Sequence, residues 1–179
     1  PHPDDETLGC GGTLLKHKDD GDQIFWLLVT NMTNNHGFSD NQVNKRNIEI
    51  SKVCKEYDFD NHYILDLPPG GLDTLPIKDL IQAFGNIFNE CEPDIVYFPF
   101  SNDVHTDHRV TSEAVLSCSK NFRYPFIKSF RAYEVISETE FGNNLYKETF
   151  HPNLFINISK FLDKKINIMN IYESEIGQH

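Results

Sequence analysis

The chain of 179 residues is 39% hydrophobic and carries 27 Asp+Glu against 16 Lys+Arg, a net charge of −11. That length and apolar content suit one domain with a proper core over residues 1–179. The negative balance disfavours a nucleic-acid or anionic-membrane partner, and no apolar run approaches the ~18–20 residues of a transmembrane helix.

The chain opens on a polar motif, Pro1-His2-Pro3-Asp4-Asp5-Glu6, running into Thr7-Leu8-Gly9-Cys10-Gly11-Gly12. A loop that aims polar side chains normally hangs from a strand end, so a strand is expected ahead of Pro1. Thr7 to Lys18 reads as a helix stopped by Asp19-Asp20-Gly21, with Gly11 and Gly12 allowing close backbone packing. Ile24 to Thr30 is a continuous apolar run, as in a strand buried on both faces. After the polar stretch Asn31 to Asp40, Gln42 to Tyr57 returns to helical spacing. His62 to Asp66 is a short strand, and Pro68-Pro69-Gly70-Gly71 forces a loop. Ile77 to Cys91 is an amphipathic helix and Asp94 to Phe98 the next buried strand.

This alternation is that of an α/β sandwich with a mostly parallel sheet, with the strands at Ile24–Thr30 and Asp94–Phe98 adjacent or nearly so. Past Tyr124-Pro125, Ser129 to Ile136 and Leu154 to Ile158 read as further strands. Ser159 to Tyr172 reads as a closing helix capped by Ser159. The four cysteines lie far apart with no CxxC pair, which predicts reduced, mostly buried thiols of a cytosolic protein.

Two segments carry chemistry. His2 and Asp5 are three apart, so a loop turning into a helix can aim both at one point and offer two ligands to a divalent metal. Asp4 then points elsewhere, and a neighbouring carboxylate is what a metal-activated water needs as its base. The plain alternative is an acidic cluster complementing a helix dipole. A third ligand is expected on a loop at the carboxyl edge of the sheet, where such folds gather ligands. Asp103-Val104-His105-Thr106-Asp107-His108 follows the strand at Phe98. Its two histidines are spaced so that one binds metal while the other faces substrate, and Asp107 can orient a histidine.

His2-Pro3-Asp4-Asp5-Glu6 and His105-Thr106-Asp107-His108 together resemble the signature motifs of the LmbE-like family, which includes the GlcNAc-phosphatidylinositol de-N-acetylases (PIG-L). The likeness extends to Leu8-Gly9-Cys10-Gly11-Gly12-Thr13, to Leu72-Asp73 and to the helix start at Asn157-Ile158-Ser159. The resemblance implies a Rossmann-like three-layer sandwich and a zinc-dependent N-deacetylase, with another divalent metal left open. By the same resemblance His2, Asp5 and His108 would bind the metal and Asp4 would be the general base. His105, held by Asp107, would face the reacting carbonyl. Arg46, in the family-like Arg46-x-x-Glu49, and Asp103 would be substrate contacts, a helix-surface arginine being the plain alternative for the first. Pro69-Gly70 departs from the Pro-Asp more usual there. The implied partner is a small N-acetylated amino sugar or its conjugate, and a homo-oligomer stays open.

Three rivals compete. Gly9-Cys10-Gly11-Gly12 suggests a dinucleotide site, but the Gly-x-Gly-x-x-Gly pattern fails at Leu14. A zinc hydrolase of another small amide or ester would use the same residues. A catalytically silent sugar-binding module would not require Asp4.

Overall fold

A computed structural model describes residues 1–136, 138–142 and 149–176. In chain order the helices and strands are α1 (Asp5–Asp19), β1 (Phe25–Thr30), α2 (Asp40–Tyr57), β2 (Asn61–Leu67), α3 (Ile77–Cys91), β3 (Ile95–Pro99), α4 (Thr106–Ser117), β4 (Ser129–Tyr133), α5 (Thr139–Gly142), α6 (Leu162–Met169) and α7 (Glu173–Ile176). The chain divides into two compact units, one of His2–Pro69 with Pro152–His179, the other of Gly70–His151 with Pro1. No described helix is long and apolar enough to cross a membrane.

In the first unit, α1 starts two residues earlier than its apolar pattern predicts. Its first turn is acidic (Asp5, Glu6) and its last turn basic (Lys16, His17, Lys18), each sign matching the helix dipole. Helix α2 likewise starts early, because Ser39 and Gln42 form a reciprocal capping box. Strands β1 and β2 pair in parallel from Phe25↔Asn61 to Thr30↔Leu67, with an irregularity between Leu28 and Thr30. Trp26, Leu28 and Ile50 form the core behind them, with Cys54, Phe59 and Ile64 packed against it.

Gly12 lets α1 meet the segment leading to α6. A Cβ built at Gly12 would lie 2.5–2.9 Å from three side-chain carbons of Ile158. Gly12→Ala is therefore expected to destabilise the protein by about 1–3 kcal/mol through overpacking, despite the ~1 kcal/mol that alanine gains in helix propensity. A thermal melt checks this, and a raised midpoint would mean that Ile158 can yield.

The C-terminal part of this unit departs from expectation. Residues 154–158 form no strand: Leu154 and Phe155 are exposed, and the segment pairs with no neighbouring strand. A short apolar run becomes a strand only where another strand accepts its hydrogen bonds. Ser159 caps nothing either. Its N–H donates to Asn157 Oδ1 at 3.0 Å, Ser159–Phe161 is a 3₁₀ turn, and α6 begins at Leu162. The asparagine turn competes with the helix for the same backbone.

In the second unit α3 has the predicted bounds and buries Leu80, Phe84 and Phe88. Strands β3 and β4 pair in parallel from Ile95↔Ser129 to Pro99↔Tyr133, and β4 stops three residues short of Ile136. Helix α4 was not foreseen, its first residues having been read as part of a loop. The described strands thus form two parallel pairs, β1 with β2 and β3 with β4. Each pair joins consecutive strands through one helix, the βαβ connection that short crossovers favour. The four cysteines are free, Cys10 and Cys118 buried, Cys54 and Cys91 half-buried.

Candidate metal and active site

The first unit carries the opening motif. The His2 N–H donates to Asp5 Oδ2 at 2.9 Å, and His2 Nδ1 lies 3.2 Å from the same oxygen. The i, i+3 spacing thus brings imidazole and carboxylate to one point, with Asp5 buried and His2 half-buried. Asp4 stands before α1 with φ 133°, ψ −31°, and its side chain makes no capping bond. Its carbonyl accepts from the N–H groups of Thr7 (2.9 Å) and Leu8 (2.8 Å), so helix start and strained residue coincide. A non-glycine residue in such a conformation costs about 1–3 kcal/mol and persists only where its surroundings compel it. Burial, with the charges of Asp5 and Glu6 added and that of Arg46 opposing, pushes the Asp4 carboxyl up to about 8.

Behind Asp4 lies a polar cluster that the sequence reading missed. Glu6 is buried, and burial raises its carboxyl above the usual range. Its Oε2 accepts from the Asp4 N–H at 3.1 Å; its Oε1 accepts from Thr7 Oγ1 at 2.5 Å and from the Tyr172 hydroxyl at 2.8 Å. Tyr57 OH donates in turn to Thr7 Oγ1 at 2.9 Å. Arg46 is no helix-surface arginine: it is 3% exposed. Its Nη1 donates to the Pro3 carbonyl at 3.4 Å, and its Nη2 donates to Ser174 Oγ at 3.0 Å and pairs with Glu175.

The second unit carries the other motif, at the start of α4. His105 is the cap residue, and its Nδ1 accepts from the Asp107 N–H at 3.1 Å. With Nδ1 an acceptor, the neutral ring carries its proton on Nε2. His108, 1% exposed, has its Nδ1 3.1 Å from Asp103 Oδ2. A carboxylate at Nδ1 selects the tautomer whose Nε2 lone pair can bind a metal and makes that nitrogen more basic. The two rings stack with centroids 5.0 Å apart.

Asp103, expected as a substrate contact, is fully buried. Its carboxylate accepts from the His105 N–H (2.9 Å), faces His108 Nδ1, and accepts from Thr139 Oγ1 (2.7 Å). Burial alone would raise its pKa, but the bonds from His108, the His105 N–H and Thr139 outweigh it and hold the group below the ordinary carboxylate value. The Asp107 carboxylate accepts from the N–H groups of Gly70 (2.7 Å) and Leu72 (3.1 Å), while its backbone holds His105.

The family described as PIG-L, GlcNAc-PI de-N-acetylase, matches residues 1–119, a span that contains both motifs. The chain is similar to the diacetylchitobiose deacetylase of Thermococcus kodakarensis, 22% identical over 191 residues that cover 99% of this chain and 68% of the relative. Among solved structures it resembles the conserved protein TT1542 from Thermus thermophilus, with TM-score 0.76 and 24% identity over 97% of this chain and 76% of that one. It also resembles the N,N'-diacetylchitobiose deacetylase from Pyrococcus horikoshii, with TM-score 0.73 and 20% identity over 98% of this chain and 68% of that one. At those identities the structural likeness speaks for the fold. The match over residues 1–119 goes further: the chain belongs to the PIG-L, GlcNAc-PI de-N-acetylase family, a family of N-deacetylating hydrolases.

Proposed function

We propose that residues 1–179 act as one deacetylase domain, a Rossmann-like three-layer sandwich, that removes the N-acetyl group from a small N-acetylated amino sugar or its conjugate. In this reading His2, Asp5 and His108 hold zinc or another divalent ion, Asp4 is the general base and His105 the oxyanion donor, with Asp107 positioning His105. Four unpaired cysteines suit a cytoplasmic setting.

One observation carries the division of labour. The two histidines of one motif have opposite partners at Nδ1, a carboxylate for His108 and a backbone N–H for His105. The first partner leaves Nε2 of His108 with the lone pair a metal ligand needs, and the second leaves Nε2–H of His105 as a hydrogen-bond donor.

Two imidazoles and a carboxylate are donors of the right kind for a divalent ion. When bound, such an ion supplies Lewis-acid polarisation and lowers the pKa of the attacking water toward ~7. Asp4 takes the proton of that water as it adds to the acetyl carbonyl. His105 Nε2–H donates to the carbonyl oxygen as it gains negative charge. The amine leaves after Asp4 returns to it the proton taken from the water, giving acetate and a free amino sugar.

The test is amine release by the full-length protein from N-acetylglucosamine and N,N'-diacetylchitobiose, with an N-alkyl analogue as the binding-only control. Release that stops on chelation and returns with zinc supports the reading; metal-loaded protein that binds these sugars without releasing amine would refute it. His105→Ala should keep its metal and slow turnover by about 10²–10³-fold, the usual loss for one oxyanion donor.

A further inference from the structure

The peptide unit between Pro3 and Asp4 is held at both of its polar atoms by buried side chains of opposite sign. Its carbonyl accepts from Arg46 Nη1 at 3.4 Å and its N–H donates to Glu6 Oε2 at 3.1 Å. Both holders continue to one short stretch near the C-terminus. The Tyr172 hydroxyl donates to Glu6 Oε1 at 2.8 Å. Ser174 Oγ accepts from Arg46 Nη2 at 3.0 Å, and Glu175 pairs with the same nitrogen. Glu49 closes the arrangement. It lies 3.4 Å from Arg46 Nε, an ion pair without hydrogen-bond alignment, and accepts from the Ser174 N–H (3.0 Å) and hydroxyl (2.6 Å).

We infer that Tyr172, Ser174 and Glu175 work through Glu6 and Arg46 as positioning residues, holding the Pro3–Asp4 peptide in its strained orientation and thereby aiming the Asp4 carboxylate. The inference rests on Asp4 being the base. A turn that merely docked the C-terminus would need apolar burial or any convenient ion pair. Here two routes from Tyr172–Glu175 end on opposite atoms of a single peptide unit. That unit leads into the φ of 133° at Asp4, a conformation L residues rarely adopt. Arg46 therefore acts behind the catalytic loop, with its guanidinium engaged by the protein itself.

Tyr172→Phe removes one hydroxyl and leaves the ring that fills its buried place. It should lower kcat for N,N'-diacetylchitobiose by about 10–100-fold, as small misplacements of reacting groups do, with KM and bound metal unchanged. Ser174→Ala should act in the same direction. Lys45→Ala, which removes only the exposed pair to Glu173, should leave kcat as it is. In an Asp4→Asn background Tyr172→Phe should cost nothing further, because residues that act as a unit are not additive. A crystal structure of Tyr172→Phe should show Asp4 relaxed to negative φ. An unchanged Asp4 φ, or a loss that adds in full to that of Asp4→Asn, would overturn the inference. If Asp4 relaxes as expected but Asp4→Asn itself turns over at the wild-type rate, the positioning stands and the base assignment fails.

Discussion

Asp4→Asn should lose about 10²–10⁴-fold in turnover while keeping near-normal metal content, since removing a general base commonly has that effect. The substitution preserves size, and asparagine tolerates positive φ better than most residues, so the strained turn at 133° survives it. The amide has no carboxylate with which to take a proton from water. Asp5→Asn should behave in the opposite way, losing metal first, because it removes an anionic oxygen from the ligand set. Zinc content and amine release for both variants read the roles directly. If Asp4→Asn lost metal as readily as Asp5→Asn, the two carboxylates would have to be exchanged. Wild-type turnover in Asp4→Asn would remove the base assignment altogether.

The largest effect on stability is expected from Asp103→Ala. The side chain is fully buried and faces three donors: His108 Nδ1, the His105 N–H and Thr139 Oγ1. Deleting it leaves all three unsatisfied, and breaking a buried polar arrangement from one side costs about 3–5 kcal/mol. Metal affinity should also fall by about 10–100-fold, the common result of removing the partner that orients a histidine ligand. Denaturant unfolding and metal titration read the two effects separately. Asp103→Asn, which keeps one acceptor, should fall between Asp103→Ala and wild type on both. Equal metal affinity in all three proteins would mean that His108 is oriented by something other than Asp103.

The parts of this fold that sequence reasoning reached are those where apolar residues report their surroundings directly. Helix α3 presents Leu80, Phe84 and Phe88 inward at helical spacing, and its limits follow. The runs behind β1 and β3 are apolar enough to read as strands. Helix α4 escaped because its inward face is largely polar: Asp107, His108, Thr111 and Ser112 are buried beside Ala114 and Val115. A helix that buries polar groups over its first turns shows only a weak hydrophobic period. Residues 154–158 misled for the opposite reason, showing a strand-like apolar run that pairs with none of the described strands.

The candidate site divides similarly. Motif spacing was enough to bring His2 and Asp5 together, since that depends on three residues of local backbone. The environments of Arg46 and Glu6 were out of reach. Their partners at Tyr172, Ser174 and Glu175 lie 128–166 residues further along the chain, with no local signal in between. The burial of Asp103 was equally out of reach, because a carboxylate beside such a motif reads the same whether it faces inward or outward. Only burial separates the two cases.

The Asp107 carboxylate also constrains how this family member could change its substrate. Two amides of the loop from β2 to α3, at Gly70 and Leu72, end on that carboxylate, and Gly70 has a φ of 69°. A graft into this loop must therefore present two N–H groups at the same spacing, with a residue at position 70 able to adopt the left-handed turn. Sequences that ignore this would detach Asp107 and disturb His105, whatever new sugar contacts they offered. Tolerated diversity should accordingly concentrate in side chains that leave those two amides in place.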